Sequence, residues 1–398
     1  MSATLADVLR QFGAAYLARH ILSTVQAKAW RAIGACRTAL LGGQRLDCDE
    51  CGHSHWQYHS CRHRCCPQCG TRAKEAWLQG RLTEVLPVPY AHLVFTLPHC
   101  LNALYGAHPR WLIDTLFTCT AQTLAEFAAN PKWMGTTGGT PAFSLVLHTW
   151  TQDLRVHTHL HAVMACGVLD TAGQWAVPTR KPDFLFPVQA LSKVFRGKFM
   201  AALALAHKAG HIERDPQAQD ADWRARQKQL YKHDWVVYAK TPLGGPAQVL
   251  EYLSRYTHRT AISNERIRSV NEREVVFSVR ADNKGGKRLE RLEGGEFVRR
   301  LMQHVLPTGI KRIRHYGVLA SSSKAKKLSA ARLALQMPAI NLQAIESAQA
   351  FMTRVAKIDV LLCPCCKIGR LRVAVTLKGS AQLPAPGGTV LTQNRGPP

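Results

Sequence analysis

The chain has 398 residues, 46% of them hydrophobic, and carries 52 lysines and arginines against 26 acidic residues, a formal charge of +26. That hydrophobic share is ordinary for folded protein and excludes wholesale disorder, while the charge points to a polyanionic partner. Nucleic acid is favoured over membrane, because no long amphipathic basic helix and no apolar run of spanning length is present.

Asp7 and Arg10 interrupt the first apolar stretch, so no secretory signal is expected there. The thirteen cysteines are then expected to be thiols of a reducing compartment, the cytoplasm, suited to metal thiolates rather than disulfides.

In chain order, residues 1–43 read as helical, with Ser23 as an N-cap for a helix over 23–41. Residues 44–86 hold a cysteine cluster and then a helix over 73–86, stopped by Pro87 and Pro89. Strands are expected at His92–Leu97, Phe143–Thr149 and Val156–Val168, with a helix over 109–129 between the first two. A helix over 187–209 and a polar, exposed excursion over 211–233 follow. Trp235–Lys240 reads as a strand, the Gly-Gly pair near Pro242 as a turn, and 247–259 as a helix. Ile267–Val270 and Glu274–Val279 form a predicted hairpin around Asn271-Glu272, before a helix over 296–306. Residues 286–378 are expected to be a basic C-terminal region, and the Pro/Gly-rich tail 379–398 to be disordered. Strands mixed irregularly with helices and joined by tight turns indicate an α+β fold with an antiparallel core.

Cys48-x2-Cys51 and Cys66-x2-Cys69, separated by fourteen residues, have the spacing of a four-thiolate zinc ribbon. Four buried free cysteines are the blander alternative. Cys61 and Cys65 are surplus ligands, and Cys363 with Cys366 in the Cys-Pro-Cys-Cys run is a lone half-site. Four thiolates leave no open position for water, so the ribbon is read as structural.

His157-Thr-His159-Leu-His161 places three imidazoles on one face of the strand and Leu160, Ala162 and Met164 on the other. Such a row is a platform for a divalent ion. In the expected helix over 247–259, Tyr252 and Tyr256 share a face, beside Arg255, His258 and Arg259. An aromatic stripe packed on a sheet is the competing reading of the tyrosines. Lys240 and the stretch Lys311, Arg312, Arg314, Tyr316 suit phosphate contact and base stacking, and a solvated basic face explains the lysines as well.

His159-Leu160-His161 resembles the HUH motif of single-strand DNA nickases, and Tyr252-x3-Tyr256 resembles its two-tyrosine version. With CDECG, SCRHRCCPQC, HTWTQDLRVHTHLH, WVVYAKTPLGGP, YTHRTAISNERI and RIRHYGVLA, the chain resembles rolling-circle insertion-sequence transposases of the IS-ninety-one type over about residues 5–375. It departs at Cys65, where a histidine is expected.

The resemblance implies an N-terminal zinc-binding domain and an HUH nuclease domain over 87–285, in a bacterial cytoplasm at the nucleoid. His159 and His161 would hold Mg²⁺ or Mn²⁺, with Gln152 the first choice of third ligand, His157 the second and His148 the last. Tyr252 and Tyr256 would attack single-stranded DNA, leave a 5′-phosphotyrosine and transfer the strand. A plasmid replication initiator or relaxase would share this chemistry. A zinc-ribbon DNA-binding regulator would lack it.

Overall fold

The structure is a computed structural model that describes residues 3–70, 84–179, 185–212, 220–232, 235–243, 260–282, 285–337 and 359–380, with isolated positions between 74 and 81, at 248, at 350 and at 353–354. Its principal elements are α1 (Leu5–Leu17), α2 (Thr24–Ala35), β1 (Gly43–Cys48), β2 (Ser54–Tyr58), β3 (Tyr90–Thr96), α3 (Pro109–Ala129), β4 (Thr140–Trp150), β5 (Val156–Leu169) and β6 (Trp175–Ala176). They continue as α4 (Val188–Lys208), α5 (Asp220–Lys232), β7 (Val237–Leu243), β8 (Ile267–Val270), β9 (Glu274–Asp282), β10 (Gly285–Glu293), α6 (Gly294–Gln303), β11 (Ile313–Gly317), α7 (Lys324–Ala334) and β12 (Leu371–Leu377). The fold is α+β with antiparallel sheets, as the sequence indicated.

The central sheet runs β11-β4-β5-β3-β7, with β6 beside the end of β5. Its two long strands, β4 and β5, come from runs rich in Val, Leu and Thr, which fit a pleated surface covered on both sides. One face carries Phe95, Leu145, Leu147, Leu160, Ala162 and Met164, all fully buried. Helices α3 and α4 cover this face, and Phe195 of α4 meets Phe95 edge-on at 5.2 Å. Pro109 opens α3 at a position where its missing N–H costs nothing.

The opposite face carries His92, Ser144, His148, His159, His161, Val163 and Ala165, because directly paired residues of neighbouring antiparallel strands point the same way. At one end of the sheet, Trp150 and Leu154 pack against a second core built from α1, α2, α6 and the three-stranded sheet β10-β9-β8. Both α1 and α2 start with a capping box, Thr4 with Asp7 and Ser23 with Gln26, so Ser23 caps as expected. The hairpin around Asn271 is present, its Oδ1 accepting the backbone N–H groups of Arg273 and Glu274.

Three expectations change. Residues 220–232, read as part of a polar excursion, form α5, because Trp223 stacks on His207 at 3.8 Å and Leu230 is buried. Two anchors seven residues apart suffice to dock an otherwise polar helix. Strand β10 was missed, since its charged run GGKRLERLE lacks the alternation that marks a half-buried strand. The stretch 286–378 is divided among three partners: α6 packs on α1, β11 joins the central sheet, and β12 pairs with β1. The expected helix over 247–259 apart from position 248, six positions of that over 73–86, and tail residues 381–398 lie outside the described residues.

His304 follows α6 and links the two cores. One ring nitrogen lies 2.9 Å from the Leu154 carbonyl and the other 3.2 Å from the Thr149 hydroxyl. A neutral ring satisfies both, donating to the carbonyl and accepting from the hydroxyl. Burial pushes its pKa down to about 4. Below about pH 6.5 the unfolded chain therefore binds a proton that the folded chain refuses, and stability falls as the pH drops toward 4, by on the order of 3 kcal/mol for this one group. We expect the wild-type Tm to fall across that interval, and the His304→Asn protein to start lower but lose less.

Candidate metal centre

The period-two reading of β5 holds: His157, His159 and His161 share a face, and Leu160, Ala162 and Met164 enter the opposite core. Across the sheet, His148 of β4 pairs with His159, and His92 of β3 pairs with Val163, next to His161 along the face. The imidazole nitrogens of His148, His159 and His161 lie within 4.8 Å of one another. Among the described residues, no carboxylate joins this group.

The outer nitrogens of two of these rings are already engaged. His159 Nδ1 donates to the His157 carbonyl at 2.8 Å, which leaves Nε2 as its free lone pair. His161 Nδ1 lies 3.0 Å from His92 Nε2, with the two rings stacked at 5.2 Å. If His161 donates there, its Nε2 is the nitrogen that could ligate an ion. Ligating histidines commonly use the second nitrogen in this way, and it fixes both tautomer and ring direction. All four rings are at most 9% exposed. Burial, with His157 alongside, pushes the His159 pKa down to about 4, so its ring is a neutral donor at pH 7. The three lone pairs could hold one ion after small rotations, since nitrogens bound to a common ion sit roughly 3 Å apart.

The three third-ligand candidates lie in different places. Gln152 does not reach the histidines: its Oε1 accepts the Arg280 backbone N–H at 2.7 Å, and its carbonyl accepts from the Arg266 guanidinium. The chain turns after β4, with Leu154 at φ 63, and this sends Gln152 toward β9. His157 is turned outward, its Nδ1 2.9 Å from His99 Nε2. His148, ranked last, is the residue that the sheet register sets beside His159. His92 was not singled out, since its strand was legible but its neighbour across the sheet was not.

The cysteines also regroup. Cys48, Cys51, Cys66 and Cys69 do not form one four-thiolate ribbon. Cys66 and Cys69 gather with Cys36 and Cys61, and Cys48 and Cys51 with Cys363 and Cys366. In the first quartet, Cys36 and Cys61 lie 3.3 and 3.5 Å from Cys69. Four sulfurs each about 2.3 Å from zinc would stand about 3.8 Å apart, so this donor set fits a tetrahedral zinc ion. The surrounding thiols donate to the Cys69 sulfur and hold it strongly toward thiolate. Cys36 was missed because it sits just past the end of α2, inside a stretch read only as helix. Cys65 stays outside the quartet, its thiol pushed up by burial.

The basic candidates separate as well. Arg312 lies over Trp150 at 5.5 Å, and Arg314 lies over Phe117 at 4.0 Å while pairing with Asp114. Tyr316 stacks on Phe143 at 5.1 Å. These three pack the edge strand β11, whereas Lys311 is exposed. Lys240 stands opposite His92 in the β7–β3 register. Tyr252, Arg255, Tyr256, His258 and Arg259 lie outside the described residues.

An antiparallel sheet with a buried three-imidazole group, joined to a thiolate quartet, defines a metal-binding α+β protein. Its residues 8–97 match the family model "Transposase zinc-binding domain", and residues 142–327 match the model "Putative transposase". The chain is 38% identical over 377 residues to "Putative transposase y4qJ" of Sinorhizobium fredii, covering 92% of this chain and 93% of that one. It is 26% identical over 349 residues to "Transposase for insertion sequence element IS801" of Pseudomonas savastanoi pv. phaseolicola, covering 83% of this chain and 79% of that one. No solved structure matches it. The chain belongs to the family of insertion-sequence transposases that carry an N-terminal zinc-binding domain, and it is a DNA-processing enzyme of that family. Among the described residues, no helix is long and apolar enough to cross a membrane.

Proposed function

We propose that this transposase is an HUH nuclease that nicks single-stranded DNA at element ends through Tyr252 and Tyr256 and carries the strand as a 5′-phosphotyrosine. The observation that carries the reading is the group His148, His159 and His161 on one sheet face, with the histidine pair of the HUH motif at its centre. A divalent ion held there would draw charge from the oxygens of a scissile phosphate. An all-imidazole donor set shifts preference away from Mg²⁺ toward Mn²⁺ or a softer first-row ion.

The tyrosine Oη attacks phosphorus, the bond to the 3′ oxygen breaks, and that oxygen leaves as a 3′-hydroxyl on taking a proton. The new ester conserves the cleaved bond, so a later hydroxyl can attack it and rejoin the strand without ATP. A second tyrosine allows a second cut while the first adduct persists.

The flanking residues support this assignment. The chain leaves β7 at Leu243, opposite Tyr90, and re-enters the described fold at Thr260 beside Trp150. These points lie at opposite ends of the histidine-bearing sheet, and the residues between them include both tyrosines. The net charge of +26 suits a DNA partner.

The test is to mix the full-length protein, Mn²⁺ and end-labelled single-stranded DNA from an element end, then run a denaturing gel. A labelled band migrating with the protein is expected, and it should vanish when the ion is chelated. Free nicked DNA with no protein-linked band would overturn the tyrosine mechanism, and no cleavage would favour a binding role. His92→Ala should weaken Mn²⁺ binding by about 10- to 100-fold, the usual cost of losing the partner of a ligating histidine. His92→Gln, which can still accept a hydrogen bond, should recover part of that loss.

A further inference from the structure

The Cys-Pro-Cys-Cys run lies far beyond residues 8–97, and nothing in the nicking chemistry uses it. We propose that Cys48, Cys51, Cys363 and Cys366 bind a second structural zinc ion, separate from that of the Cys36 quartet, and that this ion clasps the C-terminal segment onto β1.

The geometry of the cluster converges on this. The Sγ atoms of these cysteines lie within 4.8 Å of one another, and the pairs Cys48–Cys366 and Cys51–Cys363 are each separated by 3.7 Å. That is the edge length expected of a zinc tetrahedron, about 3.8 Å, and well beyond the roughly 2.05 Å of a disulfide. Backbone N–H groups point at the sulfurs, Glu50 to Cys48 at 3.5 Å and Gly369 to Cys366 at 3.3 Å.

The surrounding backbone is shaped around the cluster. Each half of the site is a tight turn: Cys48 N donates to the His53 carbonyl, and Cys363 N donates to the Gly369 carbonyl. A Cβ on Gly369 would stand 2.5 Å from the Cys48 sulfur, so only glycine lets the two turns approach this closely. The Asp49 carboxylate accepts the Arg370 backbone N–H and forms a salt bridge with Arg372, which fastens the same turns together.

The apolar support, in contrast, is slight. Besides the cysteines, the small core here is Leu46 and Leu371, and most of β12 is exposed. So small a core needs a staple. With its two cysteine pairs separated by 312 residues between Cys51 and Cys363, the site can close only after residue 366 has been made. The ion then sets where the C-terminal segment lies. This proposal is independent of the tyrosine assignment.

Zinc released by a mercurial from the purified full-length protein should amount to two thiolate-bound ions per chain. The Cys363→Ser, Cys366→Ser variant should release one, and Cys36→Ser, Cys69→Ser should also release one. Labelling of the native wild-type protein with N-ethylmaleimide, read by mass spectrometry, gives a result that does not depend on any variant folding. Cys365 is exposed and outside the quartet, so it should react at once. Cys51, also exposed, and Cys366 should react only after a chelator strips the zinc. A wild type holding one thiolate-bound zinc, Cys51 and Cys366 reacting as fast as Cys365, or peptides linked 48–366 and 51–363 by disulfides would each overturn the proposal.

Discussion

Replacing both Tyr252 and Tyr256 with phenylalanine should abolish the covalent protein–DNA adduct, a loss of at least about three orders of magnitude, while single-stranded DNA binding stays near wild type. The substitution keeps the ring and removes only Oη, so packing loss is small and the missing nucleophile dominates. A phenol with pKa about 10 is almost wholly protonated at neutral pH, so attack depends on a phosphate that is already polarised. Chelating the ion should therefore mimic the double substitution. Either single variant should leave one nucleophile for the first cut but block the completed strand transfer. An adduct of undiminished yield in the double variant would show that another residue attacks phosphorus.

The second large effect separates the two rival third ligands. His148→Ala should weaken Mn²⁺ binding and lower metal-dependent nicking at least about 100-fold, because it removes one of the three imidazoles whose nitrogens lie within 4.8 Å of one another. Gln152→Ala should leave Mn²⁺ affinity within about twofold. Its amide holds the Arg280 backbone, so the cost should appear as roughly 1 kcal/mol of stability. Zinc in the thiolate quartets should be unchanged in both proteins, since the two kinds of site share no residue. The opposite ranking in a titration followed by Mn²⁺ electron paramagnetic resonance would return Gln152 to the ligand set. If His148→Ala lost its fold as judged by circular dichroism, His148→Asn would serve as the comparison.

The residues show where sequence reading succeeds. β5 was legible because an alternating strand declares its two faces locally: Leu160 and Met164 had to face a core, so His159 and His161 had to face away from it. Helix α3 was legible from its proline start and its long apolar pattern. Strand β10 was not, since its stability comes from hydrogen-bonding to β9 rather than from an apolar side of its own. Arg312, Arg314 and Tyr316 read as a DNA surface because charge alone cannot distinguish a free guanidinium from one lying over Trp150 or Phe117.

By itself, the sequence determined the α+β class, the two faces of the histidine strand, the family and the presence of thiolate zinc ligands. Each rests on short-range periodicity or on motifs a few residues long. The tertiary structure decided which donors meet. His148 joins His159 because β4 and β5 pair in one register, and His92 joins His161 because β3 lies on the other side of β5. Cys48 and Cys51 part from Cys66 and Cys69 because β12 returns from the far end of the chain to pair with β1. A ligand set is completed in three dimensions, and spacing along the chain reports only the half that one turn or strand supplies.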